Sequence, residues 1–338
     1  MPPKLQLTRR SMTGLALGTI AAVLLAVSLL TAMPARPLAN EPQASGKLQV
    51  VATVSMLGDA VTRVAGDRAD VHTLMGEGVD PHLYRQTQAD IAAMVRADIV
   101  FWNGLYLEAQ LEEFLTRLAR QKPVVALAET IPVSERIASA AYTDRYDPHV
   151  WMDPALWTTV VEGARDALSE LDPEGAETYA ANAAAYLEEL EAVAAYARES
   201  LQTVPRDQRV LITAHDAFGY FGQAYDFEVL GIQGLSTESE AGLQQVDRLV
   251  SLIVDRGITS IFVESSVSER NIRALVEGAA ARGHEVAIGG QLYSDAMGPA
   301  GTYRGTYIGM IDSNATTITR ALGGTAPEGG MAGRLLES

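Results

Sequence analysis

Short apolar segments alternate with segments of helical periodicity along most of the chain. Residues rich in β-branched and aromatic side chains predict eight strands, at 48–54, 70–75, 98–102, 123–127, 209–213, 227–230, 260–264 and 285–289. Helical spacing of apolar residues predicts helices between them, at 61–66, 89–97, 105–120, 242–255 and 269–282. This strand–helix alternation predicts parallel sheets and therefore an α/β fold.

One long helical segment divides the chain into two such halves. After Asp172-Pro173 the residues from 174 to 203 are rich in Ala, Glu and Leu, and Pro205 follows them. A helix of that length reaches roughly 45 Å at 1.5 Å per residue, so it would be a stiff connector. We therefore predict an α/β lobe at 46–171, a linking helix at 172–204, a second α/β lobe at 205–322 and a flexible tail at 323–338.

The N-terminal segment has the features of an export signal. Its first ten residues include Lys4, Arg9 and Arg10, residues 14–33 are almost wholly apolar, and Pro37-Leu38-Ala39 fits a small-x-Ala cleavage pattern. We predict a signal peptide at 1–39 and a periplasmic protein, with an uncleaved membrane anchor as the alternative. The arginine pair also permits the twin-arginine route.

Charge and cysteine content exclude several classes of function and of site. The formal net charge is −16, from 42 acidic and 26 basic residues, which argues against nucleic-acid binding. An acidic surface favours the approach of cations, although solubility in a salty compartment explains it equally well. Because the sequence contains no cysteine, we expect no disulfide, no thiolate ligand and no lipid-attachment residue.

The tripeptide Asp-Pro-His occurs twice, ending at His82 and at His149. Proline fixes its own backbone angle and restricts the residue before it, so each copy holds an imidazole on a preset turn beside an acidic residue. One copy alone would more simply start a turn with an incidental histidine. The repetition favours metal ligation by both histidines.

Two further polar residues follow apolar strands of the second half. His215 comes after the strand 209–213, and Asp295 follows the strand 285–289 through a short polar segment. Parallel α/β sheets place their ligands at the carboxyl ends of the strands. We therefore predict one metal ion in the cleft between the lobes, bound by His82 and His149 from the first lobe and by His215 and Asp295 from the second.

Three imidazoles and one carboxylate suit Zn²⁺ and accommodate Mn²⁺ or Fe²⁺, whereas Ca²⁺ and Mg²⁺ prefer oxygen ligands. Glu264 also ends a predicted strand and has two interpretations, orientation of a ligand or capping of the next helix. His72 and His284 are interpreted as structural or surface residues. Three tryptophans are candidates for the cleft wall, although core packing is the commoner role of such residues: Trp102, Trp151 and Trp157.

A catalytic zinc site is the main alternative, with three ligands, an open water position and a general base. The sequence has no His-Glu-x-x-His, no Gly-x-Ser-x-Gly and no phosphate-binding glycine loop, and a fourth protein ligand would close the metal's coordination shell. We therefore expect a binding protein rather than an enzyme. A structural metal protein or adhesin is a third class, distinguished by having no need to release its ion.

Five ordered blocks resemble the class III, or cluster A-I, metal-binding receptors of ABC importers, and most closely the TroA type. The blocks are Val79-Asp80-Pro81-His82, Asp147-Pro148-His149-Val150-Trp151-Met152-Asp153, Ala214-His215-Asp216-Ala217-Phe218-Gly219-Tyr220-Phe221, Ile261-Phe262-Val263-Glu264-Ser265-Ser266 and Leu292-Tyr293-Ser294-Asp295-Ala296-Met297-Gly298. The resemblance implies two lobes joined by one long helix, with metal bound at the positions of His82, His149, His215 and Asp295.

The same resemblance implies a role in import. It implies a monomer that delivers its cation to a membrane permease driven by an ATPase, with membrane contact only through the permease or an uncleaved leader. Manganese-specific members often carry Glu where this chain has His215, and many zinc-specific members carry a histidine-rich loop. Because residues 129–146 contain no histidine, the chain is most similar to members that take both Zn²⁺ and Mn²⁺.

Overall fold

The computed structural model describes residues 46–139 and 143–336, so the predicted signal peptide lies outside the described residues. Within these two ranges the chain forms eight strands and nine α-helices. The strands are β1 (Leu48–Val54), β2 (Ala69–Met75), β3 (Ile99–Trp102), β4 (Val124–Ala126), β5 (Val210–Thr213), β6 (Glu228–Gly231), β7 (Ser260–Glu264) and β8 (Ala287–Leu292). The helices are α1 (Ser55–Ala65), α2 (Gln88–Arg96), α3 (Glu112–Leu118), α4 (Pro154–Leu171), α5 (Ala176–Gln202), α6 (Gly219–Tyr225), α7 (Leu243–Arg256), α8 (Arg270–Ala281) and α9 (Tyr307–Ala321).

Every pairing between these eight strands is parallel, as the strand–helix alternation predicts. The first half of the chain forms a four-stranded sheet in the order β2-β1-β3-β4. In the second half β5 pairs with β6 and β7 pairs with β8, and β5 lies beside β7. This arrangement confirms the α/β fold class. Because β5 lies beside β7, the carboxyl ends of these two strands lie close together.

The long helix α5 has 27 residues and packs against helices from both halves. It contacts α1 and α4 from the first half and α9 from the second. Its buried face, which includes Tyr186, Leu190 and Val193, belongs to one apolar cluster that runs from β1 to Leu335. A second, smaller cluster lies between β5, β7, α7 and α8. Because α5 shares its core with both halves, wide bending about it would expose buried apolar surface.

The predicted helix at 105–120 is shorter in the structure, where only α3 is α-helical. Leu105 and Tyr106 have φ angles of 53° and 71°, which a right-handed helix cannot contain. The buried carboxylate of Glu108 accepts a hydrogen bond from the backbone N–H of Asn103, 2.8 Å away, and this bond fixes the turn. The leucine periodicity describes the burial of the segment correctly, but the turn prevents a helix from starting before residue 112.

Two other predictions differ from the structure in their limits. Strand β8 continues to Leu292, beyond the predicted end at 289, because Gly289 lets the strand approach the Phe262 ring and Gly290 takes a φ of 150°. Part of the predicted flexible tail packs on the core, as far as Leu335. There the backbone N–H of Met331 donates to the Asp312 carboxylate at 3.1 Å, so this segment is tied to α9.

No helix in the described ranges is long and apolar enough to cross a membrane. The predicted boundaries of two lobes and a linking helix stay predictions, because the described residues from 47 onward cluster as one compact unit.

Candidate metal centre

The structure brings the four predicted ligand side chains together. His82, His149, His215 and Asp295 each present one ligand atom, and these atoms all lie within 4.8 Å of one another. His215 and Asp295 lie just past the carboxyl ends of β5 and β8, whereas the other two lie in turns after β2 and before α4. All four residues are buried, at 0–2% exposure. Side chains of this polarity are buried together only when something compensates the loss of water.

Three of the separations between ligand atoms are close to those around a tetrahedral zinc ion, and a fourth, from His82 Nε2 to Asp295 Oδ2, is 3.9 Å. His82 Nε2 and His149 Nε2 are 3.3 Å apart, His149 Nε2 lies 3.4 Å from Asp295 Oδ1, and His215 Nε2 lies 3.1 Å from Asp295 Oδ2. Zinc–ligand bonds of 2.0–2.1 Å in a tetrahedron place neighbouring ligand atoms roughly 3.3 Å apart. Although His149 and His215 lie within hydrogen-bond distance of Asp295, the angles are not those of hydrogen bonds, so both Asp295 oxygens and His215 Nε2 are buried without a hydrogen-bond partner. These unsatisfied atoms face the point where the cation would lie.

The carboxylate of Asp147 orients His149. The His149 Nδ1–H donates to Asp147 Oδ1 at 2.7 Å, and the same oxygen accepts the His149 backbone N–H at 2.9 Å. This pairing fixes the ring tautomer, so that Nε2 is the atom turned toward the other ligands. The acidic residue of this Asp-Pro-His copy therefore has the orienting role that the sequence suggests.

Glu264 does the same for His215 from the end of β7. Its Oε2 accepts the ring Nδ1–H at 2.5 Å, and its Oε1 accepts the His215 backbone N–H at 2.8 Å. The next helix, α8, begins only at Arg270. Of the two interpretations of Glu264, the structure therefore supports ligand orientation and not helix capping.

His82 is held differently, so the two Asp-Pro-His copies are not equivalent. Asp80 Oδ1 accepts the His82 backbone N–H at 2.9 Å, but among the described residues no carboxylate accepts a hydrogen bond from the His82 ring. The other Asp80 oxygen accepts the hydroxyl of Thr237 at 2.6 Å, across 157 residues of sequence. This acid therefore orients the turn and contacts a distant segment instead of orienting the imidazole.

A buried network that the sequence did not reveal positions the His149 turn. Asn103, directly after β3, donates through its side-chain amide to the carbonyl of Pro148 at 3.0 Å. The Glu108 carboxylate accepts the Asn103 backbone N–H and the hydroxyl of Thr53, the latter at 2.6 Å. Asn103 could have been predicted from its position at the carboxyl end of a strand, because the same reasoning identifies His215.

Charges within the site set the protonation of its histidines. Burial lowers the pKa of His82 to about 3, so this imidazole is neutral. Burial also opposes the charge on His149, but Asp147 and Asp295 raise its pKa to about 9. The pKa of His215 is likewise raised against burial by Asp295 and Glu264, and that of Asp295 is held well below its ordinary range by the two histidines. The raised pKa values favour the protonated forms of His149 and His215.

The remaining aromatic and histidine candidates fall outside the ligand set. The Trp151 ring lies edge-on to His149, with centroids 5.3 Å apart, and its Nε1–H donates to the Ser294 carbonyl at 2.8 Å. Trp157 stacks on a tyrosine in the core. His72 is exposed on β2. His284, which follows α8, hydrogen-bonds through its ring to a backbone carbonyl. Of the described tryptophans, Trp151 therefore lies against the site.

Residues 50–321 match the family model described as "Zinc-uptake complex component A periplasmic", ZnuA. This chain belongs to that family. The match includes all four predicted ligands and every strand except the first two residues of β1. ZnuA-family membership therefore agrees with the resemblance carried by the five sequence blocks.

Relatives in this family are named for different metals. The chain is 45% identical over 305 residues to manganese-binding lipoprotein MntA of Bacillus subtilis (strain 168), covering 90% of this chain and 99% of MntA. It is 44% identical over 305 residues to zinc-binding protein TroA of Treponema pallidum (strain Nichols), covering 90% of this chain and 98% of TroA. Iron-binding protein YfeA of Yersinia pestis is 32% identical over 284 residues, covering 84% and 89%.

The fold agrees with a solved structure from the same group. The periplasmic zinc-binding protein TroA from Treponema pallidum superposes with a TM-score of 0.80 at 45% identity, covering 82% of this chain and 99% of that one. The recognised family and the TroA-type fold are therefore both confirmed.

Proposed function

We propose that this protein is the periplasmic solute-binding component of an ABC importer for a divalent transition metal. It binds one Zn²⁺ or Mn²⁺ ion, or Fe²⁺ as a further cargo, with His82, His149, His215 and Asp295. The observation that supports this most directly is the convergence of three ring nitrogens and two unsatisfied carboxylate oxygens in one buried site. Names of relatives that specify manganese, zinc and iron support the same range of cargo.

Binding rather than catalysis follows from the completeness of the ligand set. Four protein ligands fill a tetrahedral coordination shell, whereas a catalytic zinc keeps one position for water or substrate. The relatives are binding proteins by name, which supports the same conclusion. We propose that the loaded protein, as a monomer, delivers its ion to a membrane permease with its ATPase.

The proposed location is the periplasm, reached through the N-terminal signal and by the twin-arginine route as one option. MntA is named a lipoprotein, but the residues of this chain include no cysteine to which a lipid could be attached. We therefore propose a diffusing receptor whose contact with the membrane is made through the permease, or through the leader where it is not cleaved.

Metal content and competition titrations test this function. The protein lacking residues 1–39 should bind one equivalent of Zn²⁺, measured by inductively coupled plasma mass spectrometry after gel filtration. Mn²⁺ should compete for the same equivalent but bind more weakly, in keeping with the Irving–Williams order. The ion should also leave on addition of a chelator without unfolding the protein. Absence of a stoichiometric ion, or an ion removed only by denaturation, would contradict a receptor function.

Removing the Glu264 carboxylate should weaken Zn²⁺ binding by roughly 10–100-fold, the usual effect of losing a group that orients a metal-binding histidine. In Glu264→Gln the amide oxygen can still accept the Nδ1–H of His215, so the loss of Zn²⁺ affinity in this variant should be near the lower end of that range. The loss in Glu264→Ala should be near the upper end. Competition with a chromogenic chelator measures both affinities. Glu269→Gln removes the same charge at an exposed site and should bind normally; equal affinities in all four proteins would rule out the orienting role.

A further inference from the structure

A conformational change is needed for a cation to reach the site, because the candidate ligands are almost inaccessible to solvent. His82 retains 2% of its surface, and His149 and His215 retain none. A cavity of about 30 Å³, enough for roughly one water molecule, lies over the His82 side. Its walls include Leu105 and Tyr106 from the first half and Leu235 and Ser236 from the second. A cation that enters here has to separate these two walls.

The second-half wall belongs to a segment that we call the strap, residues 233–240 between β6 and α7. The strap is preorganised by its own first residue. The side-chain amide of Gln233, itself only 8% exposed, donates to the carbonyls of Thr237 and Ser239 at 3.4 and 3.1 Å. These two bonds hold the strap in a defined turn.

Two side-chain hydrogen bonds join the strap to the first half. Thr237 donates its hydroxyl to Asp80 Oδ2 at 2.6 Å, and Gln110 donates its amide to the carboxylate of Glu238 at 2.7 Å. The first bond is sheltered, since Thr237 is 7% exposed, whereas the second is exposed to solvent. A sheltered bond to a carboxylate is stronger and costs more to break than an exposed one.

The Thr237 bond acts on the same carboxylate that fixes the His82 turn. Asp80 uses Oδ1 for the His82 backbone N–H and Oδ2 for Thr237. Opening the strap therefore breaks a bond directly linked to the turn of one ligand. The strap and that ligand are consequently coupled through two oxygens of one side chain.

Resting on the proposed function, we infer that Thr237 is a positioning residue that latches the strap over His82 and controls the rates at which the cation enters and leaves. The hydroxyl of Thr237 bonds Asp80 and none of the four candidate ligands. Loss of the hydroxyl should therefore accelerate entry and release together and leave the affinity for Zn²⁺ changed by less than about threefold. A defect in a metal ligand would instead weaken the affinity itself.

Stopped-flow kinetics on the whole mature protein test this inference. Association of Zn²⁺ is followed by tryptophan fluorescence, since Trp151 packs on His149, and release is followed by capture in excess chelator. Thr237→Val, which keeps the shape and removes the hydroxyl, should release Zn²⁺ about tenfold faster, equivalent to about 1.4 kcal/mol in the barrier. Its association rate should rise by a similar factor.

Two matched variants separate the latch from general loosening. Thr237→Ser retains the hydroxyl and should restore both rates to within about twofold of wild type. Gln110→Ala removes the exposed bond across the same gap and should also stay within about twofold. The metal-free melting temperature of Thr237→Val shows whether the variant is folded, and Thr237→Ala serves in its place if it is not.

The possible results are distinct. Faster entry and release with serine rescue support the latch. An unchanged release rate in Thr237→Val overturns it, and so does faster release with an unchanged association rate, which would assign Thr237 only to the geometry of the bound site. Failure of wild-type protein to bind one Zn²⁺ would instead overturn the proposed function.

Discussion

His82→Ala is expected to weaken Zn²⁺ binding by more than a hundredfold while leaving the metal-free protein folded. Four-ligand zinc sites bind with about 10–16 kcal/mol, so one ligand contributes about 3 kcal/mol, or over a hundredfold in affinity. His82 is the cleanest ligand to remove, because its neutral ring bonds no carboxylate and its backbone N–H still reaches Asp80. Competition titration with a chelator of known affinity measures the change.

Two comparisons make this result specific. His72→Ala removes an exposed histidine from β2 and should bind Zn²⁺ normally. His215→Ala should lose as much affinity as His82→Ala, but it should also lower the melting temperature of the metal-free protein, because it leaves Glu264 buried without its imidazole partner. Near-normal binding by His82→Ala would remove this residue from the ligand set.

The sequence predicts the fold well where local pattern and burial agree. Strands β1 and β7 have the predicted limits, because each is a short apolar segment bounded by polar residues. The helix expected at 105–120 is the instructive failure. Its leucine spacing is helical, but the bond that forces the turn runs to Glu108 from a backbone group after β3, and that bond exists only once the sheet has formed.

The residues of the candidate site also divide into those with a local signal in the sequence and those that only tertiary contacts identify. The four candidate ligands could be predicted from sequence because each has a local signal, either Asp-Pro-His or a position after a strand. Thr237 has no such signal, because its partner Asp80 lies 157 residues away and the strap resembles any polar loop. The repeated motif also suggested equal roles for Asp80 and Asp147, whereas only the latter bonds an imidazole. Which neighbour each carboxylate bonds is decided by tertiary packing.

Zn²⁺ affinity is expected to rise with pH and to continue rising above neutrality. A cation must displace the extra protons of His149 and His215, whose pKa values are raised to about 9 and well above the ordinary value, respectively. Below those pKa values each displaced proton costs a factor of about ten in affinity per pH unit. Affinity should therefore increase by one to two log units per pH unit between pH 6 and 8. His82 adds nothing in this window, because its pKa is about 3.

Histidines of ordinary pKa, about 6.5, would give a different profile, in which affinity levels off above roughly pH 7.5. Chelator competition at pH 6, 7 and 8, corrected for the chelator's own protonation, distinguishes the two profiles. Calorimetry at pH 7.5 in two buffers of different ionisation enthalpy counts the protons directly, and one to two should be released per Zn²⁺ bound. A plateau above neutral pH with no proton release would show that Asp147 and Glu264 orient neutral rings before the cation arrives.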